Sequence, residues 1–372
     1  VMKKILFITP IFGRTGSEMI LWYLLNHLDP KEYRIYLFSE QMGELLNKLP
    51  PHVKTAVSYR NSKVWYLKLF RGILKMFGIH PVGYQLSRLQ KKFKADLWYV
   101  NTITVPGSYG AAKKSNVKIV THFHELLQAY NLIRYNNLKD VISISDVCIG
   151  CSEEVCDRVL DLGHRDVRLQ YSFIDAAGIK PDLNRVGELR RDLGINPGDF
   201  VWIISGTISY MKGLDQIIPV LEHFKGQSVK IIWIGGKLDT GLQYYAEQIV
   251  AEKYKNQLFF PGGQSADYYN YMELADGMLI LSREESFSLV AVEAVYLGKP
   301  VVGFNTGILG QIINEENGAL SNTMDINAVI SGMHIFHERP VIDLEKSRQN
   351  VLKYTSEFQL PHFERLLNEL LM

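Results

Sequence analysis

The chain has 372 residues, 47% of them hydrophobic and 22% charged, with a formal net charge of +2. This is enough apolar material for two or three domain cores, and no apolar run approaches the roughly 18 residues that cross a bilayer, which excludes a membrane-spanning chain. Three cysteines suit a reducing compartment, and Val1-Met2-Lys3-Lys4 leads into a short apolar strand rather than a secretory signal, so a cytoplasmic location is expected.

Strand and helix patterns alternate in two series, the signature of parallel α/β layers. The first series predicts strands at 4–9, 33–38, 97–100, 118–121 and 147–151. After the first strand, Gly13-Arg14-Thr15-Gly16-Ser17-Glu18 leads into an amphipathic helix at 19–28, with Thr15 and Glu18 at capping-box spacing. The Gly-x-Gly-x-x-Gly fingerprint is absent there, which argues against a dehydrogenase. Asp96 and Asn101 flank the strand at 97–100 and read equally as cleft-facing groups or ordinary loop polars. Thr121-His122-Phe123-His124-Glu125 closes the next strand, where ligand sites of open α/β sheets form, and alternation is expected to turn His122 to a different face from His124. Cys148 and Cys151 form a Cys-x-x-Cys with Cys156 nearby, but Cys148 falls in a predicted buried strand and no His or fourth Cys completes a zinc set. All three are therefore read as structural.

A polar stretch at 176–199, with Lys180-Pro181-Asp182 and Asn196-Pro197-Gly198 turn signals and a short helix at 185–193, separates the series as a linker. The second series predicts strands at 200–205, 230–234, 257–260, 277–281 and 300–304. After the first of these comes Ser205-Gly206-Thr207-Ile208-Ser209-Tyr210-Met211-Lys212-Gly213, a phosphate-loop pattern. Gly206 lets backbone approach a ligand, Gly213 is expected to open a helix, and Lys212 offers a point charge to a diphosphate; a Gly-rich turn with an exposed Lys reads from the same residues. Pro261-Gly262-Gly263-Gln264 and Asn305-Thr306-Gly307 follow later strands, with Gln311 the nearest polar residue beyond.

The sharpest signal is Glu284-Glu285-Ser286-Phe287-Ser288-Leu289-Val290-Ala291-Val292-Glu293, at a strand-loop-helix junction. Glu293 sits in an apolar run expected to form a buried helix, where an unpaired carboxylate is costly and needs a partner. The N–H groups near Ser288, Leu289 and Val290 begin that helix, and its dipole adds to their pull on an anion. Two carboxylates at this spacing on a solvated helix face are the bland reading.

Charge divides between the halves. Residues 1–175 carry 24 Lys and Arg against 15 Asp and Glu, and the remainder carries 17 against 24. Between Glu44 and Asp96 there is no acid but eleven Lys and Arg, with Trp65, Tyr66, Leu69, Phe70, Ile73, Leu74 and Phe77 interleaved among Lys63, Lys68, Arg71 and Lys75. This is the pattern of a basic amphipathic helix suited to an anionic membrane surface; nucleic acid is disfavoured because the aromatics fall at helical spacing, and a core-facing helix with a solvated basic edge is the alternative.

The Glu285…Glu293 spacing, the Gly206…Lys212-Gly213 element, the Gly16 loop and His124-Glu125 together resemble retaining glycosyltransferases of family 4. The resemblance covers almost the whole chain and is most specific between Gly206 and Gly307. It implies an α/β GT-B fold: two Rossmann-like domains facing across a cleft, an acceptor-side domain at 1–175, the linker at 176–199, a nucleotide-sugar domain at 200–355 and a final helix, 356–372, crossing back onto the first. It implies that Gly16, Gly206, Thr207, Lys212, Gly262, Gly263, Ser288, Leu289, Val290 and Glu293 hold the donor, with Gly262-Gly263 at the base and Glu293 at the ribose. It likewise implies a catalytic set of His124, Glu285 and Lys212: His124 near the transferred sugar, Glu285 positioning it, Lys212 on the diphosphate. Thr207 stands where the family usually has Arg, and Gly16 is preceded by Thr15 where the family has Gly. The expected donor is UDP-glucose or UDP-N-acetylglucosamine, and the expected acceptor is a saccharide or lipid-linked saccharide in cell-surface polysaccharide synthesis. No metal or other cofactor is expected, because the chain has no Asp-x-Asp. A sugar-nucleotide epimerase, a glycan phosphorylase or a non-catalytic sugar-binding protein would share the two-domain plan.

Overall fold

Two parallel sheets organise the chain, and in both the central strands are apolar along nearly their whole length. The structure, a computed structural model, describes residues 2–338 and 342–372, apart from the side chains of Gln128, Ala129, Leu132 and Tyr135; residues 1 and 339–341 lie outside the described residues. The chain divides into two compact units, Val1–Phe173 with Ser356–Met372, and Ile174–Thr355.

In the first unit, β1 (Lys3–Ile11), β2 (Tyr33–Gln41), β3 (Lys54–Val57), β4 (Leu97–Asn101), β5 (Lys118–Phe123), β6 (Val147–Gly150) and β7 (Val167–Leu169) form one sheet in the order β3-β2-β1-β4-β5-β6-β7. Ile5 to Ile8 of β1 and all of β4 are buried, as strands covered on both faces require. The winding reverses between β1 and β4, so the loops after those strands diverge and leave a place for polar groups. The final helix, Ser356–Leu370, belongs to this unit: Asn368 accepts from Tyr33 Oη at 2.7 Å, the Phe363 ring lies 5.7 Å from Tyr99, and Lys118 Nζ donates to Leu370 O.

In the second unit, β8 (Phe200–Ser205), β9 (Val229–Ile234), β10 (Leu258–Gly262), β11 (Gly277–Ile280), β12 (Val301–Phe304) and β13 (Gly318–Ser321) run in the order β10-β9-β8-β11-β12-β13. Trp202, Trp233, Ile217, Leu221 and Leu279 fill its core. The winding reverses between β8 and β11.

Three expectations change. The edge strands β3, β7 and β13 had no sequence signal. Residues 176–199 are not a free linker but part of the second unit: Asp182 caps the helix Leu183–Asp192 through Asn184 N, Asn270 accepts from Asp182 N, Arg185 pairs with Asp267 and Leu189 is buried. Thr15 and Glu18 form no capping box, because Glu18 turns inward, accepts from Ser17 Oγ at 2.9 Å and Thr9 Oγ1 at 3.4 Å, and is 2% exposed.

The cysteines are free thiols. Burial pushes Cys148 up to about 12 and Cys156 to about 11, so neither is an activated thiolate.

Candidate functional site

In the second unit, the loops after β8 and β11 meet at the reversal point. Gly213 adopts φ +81°, and a Cβ there would sit 2.5 Å from Leu281 O, so only glycine lets the two loops touch. Contrary to expectation Gly213 does not open a helix: it ends the short 3₁₀ turn Tyr210–Lys212, and the helix Ile217–His223 begins four residues later. The contact brings Lys212 Nζ onto the Glu285 carboxylate. These groups, expected on the diphosphate and the sugar respectively, here neutralise each other, with Glu285 the better shielded.

Thr207 is exposed on the turn after Gly206. Arg283 is a second cation nearby that sequence reasoning missed, but it is committed: its guanidinium grips Asp215 at 2.6 and 2.9 Å and stacks 3.7 Å above the Tyr210 ring. It does not replace the Arg missing at Thr207 in this arrangement.

The helix Leu289–Tyr296 buries Ala291, Val292, Ala294 and Val295. Glu293 is only half-buried on it, and its carboxylate accepts from Tyr268 Oη at 2.6 Å and Tyr269 Oη at 3.0 Å. Burial pushes its pKa up to about 7, and the two hydroxyls hold it from going higher. The tyrosines thus supply the partner that the apolar run demanded. Ser288, ahead of the helix, has φ +84°, and its buried Oγ has no partner among the described residues. The N–H groups of Leu289 and Val290 occupy the first turn, where no helical carbonyl stands behind them.

Other expected donor residues gather around these loops. Ile308 N donates to Phe287 O at 3.1 Å, and a Cβ on Gly307 would sit 2.7 Å from that same carbonyl, so Asn305-Thr306-Gly307 packs directly on the Glu285 loop. Gly262 ends the edge strand β10 and accepts from Gly235 N at 3.1 Å, with Gly263 beside it. Gln311 accepts from Tyr354 Oη.

The first unit holds a separate polar cluster at the ends of β1, β4 and β5. Gly16 is the first residue of the helix Gly16–His27, and Asn101 Nδ2 donates to Ser17 O. His124 Nε2 meets Asn101 Oδ1 at 3.1 Å; with the carbonyl oxygen presented, the ring carries its hydrogen on Nε2 and leaves Nδ1 as the acceptor. Burial pushes His124 down to about 3, so the ring is neutral at physiological pH. His122 does not turn away from His124: His124 follows directly on the end of β5, and the two rings lie 3.9 Å apart. His122 is buried and bonded through Nδ1 to Tyr99 Oη at 2.7 Å. Glu125 accepts from its neighbour's backbone, His124 N, at 2.9 Å, and burial pushes its pKa up to about 7.

Residues 14–177 match the family model for Glycosyltransferase Family 4, and residues 186–357 match that for Glycosyl transferases group 1. The alpha-galactosylglucosyldiacylglycerol synthase of Streptococcus pneumoniae is 22% identical, over 74% of this chain and 72% of that one. The N-acetyl-alpha-D-glucosaminyl L-malate synthase of Bacillus anthracis is 25% identical over 54% of this chain, which spans about half of that relative, 51%. Among solved structures, Anabaena Alr3699/HepE in complex with UDP and glucose has a TM-score of 0.82 at 19% identity, covering 99% of this chain and 100% of that one. At that identity the likeness is one of fold.

Proposed function

Because the chain belongs to glycosyltransferase family 4 and has the GT-B fold, we propose that this glycosyltransferase moves a hexose from UDP-glucose or UDP-N-acetylglucosamine to a saccharide or lipid-linked saccharide, with retention at the anomeric carbon. The observation that carries the reading is the Lys212–Glu285 pair beside the start of the helix that bears Glu293. Breaking the anomeric bond places negative charge on the leaving diphosphate and positive charge on the sugar ring. Lys212 and the N–H groups of Leu289 and Val290 stabilise the first. Glu285, released from Lys212, positions the sugar.

Glu293 anchors the ribose, whose hydroxyls take over the bonds now made by Tyr268 and Tyr269. Gly206 and Thr207 line the diphosphate turn, Gly262 and Gly263 meet the base through backbone groups, and Gly16 approaches the donor from its own loop. His124 acts near the transferred sugar as a neutral ring. The leaving phosphate serves as base for front-face attack, and no metal takes part.

The Streptococcus pneumoniae relative is named for a diacylglycerol glycolipid, which supports a lipid-linked acceptor and peripheral attachment to the cytoplasmic leaflet during cell-surface polysaccharide synthesis. Among the described residues no helix is long and apolar enough to cross a membrane.

The test is a panel of UDP-, GDP- and ADP-sugars, read by thermal shift and by release of the nucleoside diphosphate. A ligand at 100 times its dissociation constant adds about 2.7 kcal/mol of stability. Stabilisation by UDP-sugars with slow release of UDP is expected; stabilisation without any release, even with acceptors present, identifies a binding protein and overturns the transferase reading.

A further inference from the structure

Among the described residues, four that are not glycine have positive φ: Lys94, Thr102, Asn116 and Ser288. Lys94 and Asn116 cap the C-termini of helices, where one left-handed residue is ordinary. Ser288 stands ahead of the helix that bears Glu293, in the candidate site of the second unit. Thr102, at φ +77°, directly follows β4 in the polar cluster of the first unit and is 4% exposed. A β-branched side chain crowds the backbone at this φ, so the conformation persists only because its surroundings hold it.

Those surroundings lead to one histidine. Thr102 N donates to His122 O at 3.0 Å, which carries the β4–β5 ladder one step past the end of β4 before the chain turns. Beyond the turn, Ile103 and Val105 are fully buried and pin the loop. The Thr102 hydroxyl and the Ile103 N–H both bond to the Glu125 carboxylate, which also accepts from His124 N at 2.9 Å. Thr104 meets the same hydroxyl twice, through its own Oγ1 at 2.7 Å and through its N–H at 3.2 Å. With the Thr102 hydrogen given to Glu125, the Thr104 hydroxyl donates into Thr102 Oγ1, so each proton of the chain has one place.

His124 is therefore held at both ends by consecutive residues. Asn101 takes the ring through Nε2, and Thr102 takes the backbone through Glu125. Neighbouring side chains of an extended strand point to opposite faces of the sheet, and the positive φ at Thr102 breaks that alternation. A threonine whose only task was to turn the chain would serve worse here than glycine.

We propose that Thr102 is a positioning residue, whose hydroxyl fixes Glu125 and through it the backbone of His124, and that the left-handed turn lets Asn101 and Thr102 hold that histidine together. The inference rests on the role given to His124 in the proposed transfer. Thr102 touches no reacting atom; its effect passes through His124.

Two substitutions separate the hydroxyl from the turn. Thr102→Gly keeps and relieves the turn but removes the hydroxyl, whereas Thr102→Ser keeps the hydroxyl. Thr102→Gly should lower the rate of transfer about tenfold or more at unchanged affinity for UDP, which binds the other unit, and Thr102→Ser should recover most of that rate. In a His124→Ala background Thr102→Gly should cost nothing further, because positioning has nothing left to act on. A second readout needs no turnover. In protein carrying isotope-labelled histidine, the His124 Nε2–H resonance, identified by its absence in His124→Ala, should be sharp in the wild type and in Thr102→Ser and should broaden through exchange with water in Thr102→Gly. Equal transfer by Thr102→Gly and the wild type overturns the inference, and so does a loss that persists undiminished in the His124→Ala background, which would assign the turn to folding alone. Absence of transfer by the wild type, with the His124 resonance still responding to Thr102, overturns the proposed transfer and supports the hold on His124.

Discussion

Lys212 and Glu285, 73 residues apart in the chain, form an ion pair at the point where the second sheet reverses its winding. Each is the other's partner, so under the proposed mechanism donor binding exchanges one charge pair for another. Glu285→Gln therefore frees Lys212. The variant is expected to bind UDP up to about fivefold more tightly, the range of a partly exposed pair, while transfer falls by orders of magnitude because the sugar loses its positioning group. Lys212→Ala should weaken UDP binding about tenfold or more. Calorimetry with UDP alone decides, and unchanged or weaker binding by Glu285→Gln would remove the exchange from the mechanism.

Glu293, the proposed ribose anchor, makes the second unit sensitive to pH. Its carboxyl is raised from 4.5 to about 7, burial being the cause, so the folded second unit favours the protonated form. The corresponding stability is present in full below about 4.5 and is lost as pH rises through about 7. Glu293→Gln, neutral at every pH, should gain on the wild type in melting temperature between pH 5 and pH 8. A unit of this size moves about 2–4 °C per kcal/mol. Glu125, raised in the same window, is present in both proteins and cancels in the difference. A difference independent of pH would show that Glu293 titrates normally. The same substitution should lower turnover by orders of magnitude without unfolding the protein.

Asn101 and His124 make a third case. The Asn101 carbonyl holds the His124 hydrogen on Nε2, and the ring is pushed down to about 3, so His124 should show no ionisation in the pH–rate profile between pH 5 and pH 8. His124→Ala is expected to spare UDP binding and to damage transfer. Asn101→Ala, which leaves the ring but frees its orientation, should cut transfer by about 10–100-fold at unchanged UDP affinity. Equal loss of UDP binding in His124→Ala and Lys212→Ala would refute this division of labour.

The lack of an Asp-x-Asp leads to the last expectation: transfer persists in EDTA. Activity that is lost on chelation and returns with Mn²⁺ would contradict it.

The amino-acid sequence by itself determined the two α/β series, because the inner strands of parallel sheets are covered on both faces and must read as apolar runs, as 5–8 and 200–205 do. It also marked Lys212, Glu285 and Glu293, whose spacing belongs to one loop or one helix. Three of the four sheet-edge strands escaped it: Lys54–Val57 and Val167–Leu169 are short and partly exposed, and with Gly318–Ser321 they become strands only by pairing with a neighbour. Only the tertiary structure decided who satisfies whom. Tyr268 and Tyr269 reach Glu293 from 25 and 24 residues away, Arg283 is spent on Asp215 rather than on the turn at Thr207, and the rings of His122 and His124 meet at the end of β5. Such pairings depend on which loops the sheet order brings together, and no local period in the sequence encodes that order. The same holds for the helix Trp65–Met76: its composition announced an amphipathic element, but which arc is packed and which is left in water was settled by the few side chains, Phe70 and Leu74, that find a partner beneath it.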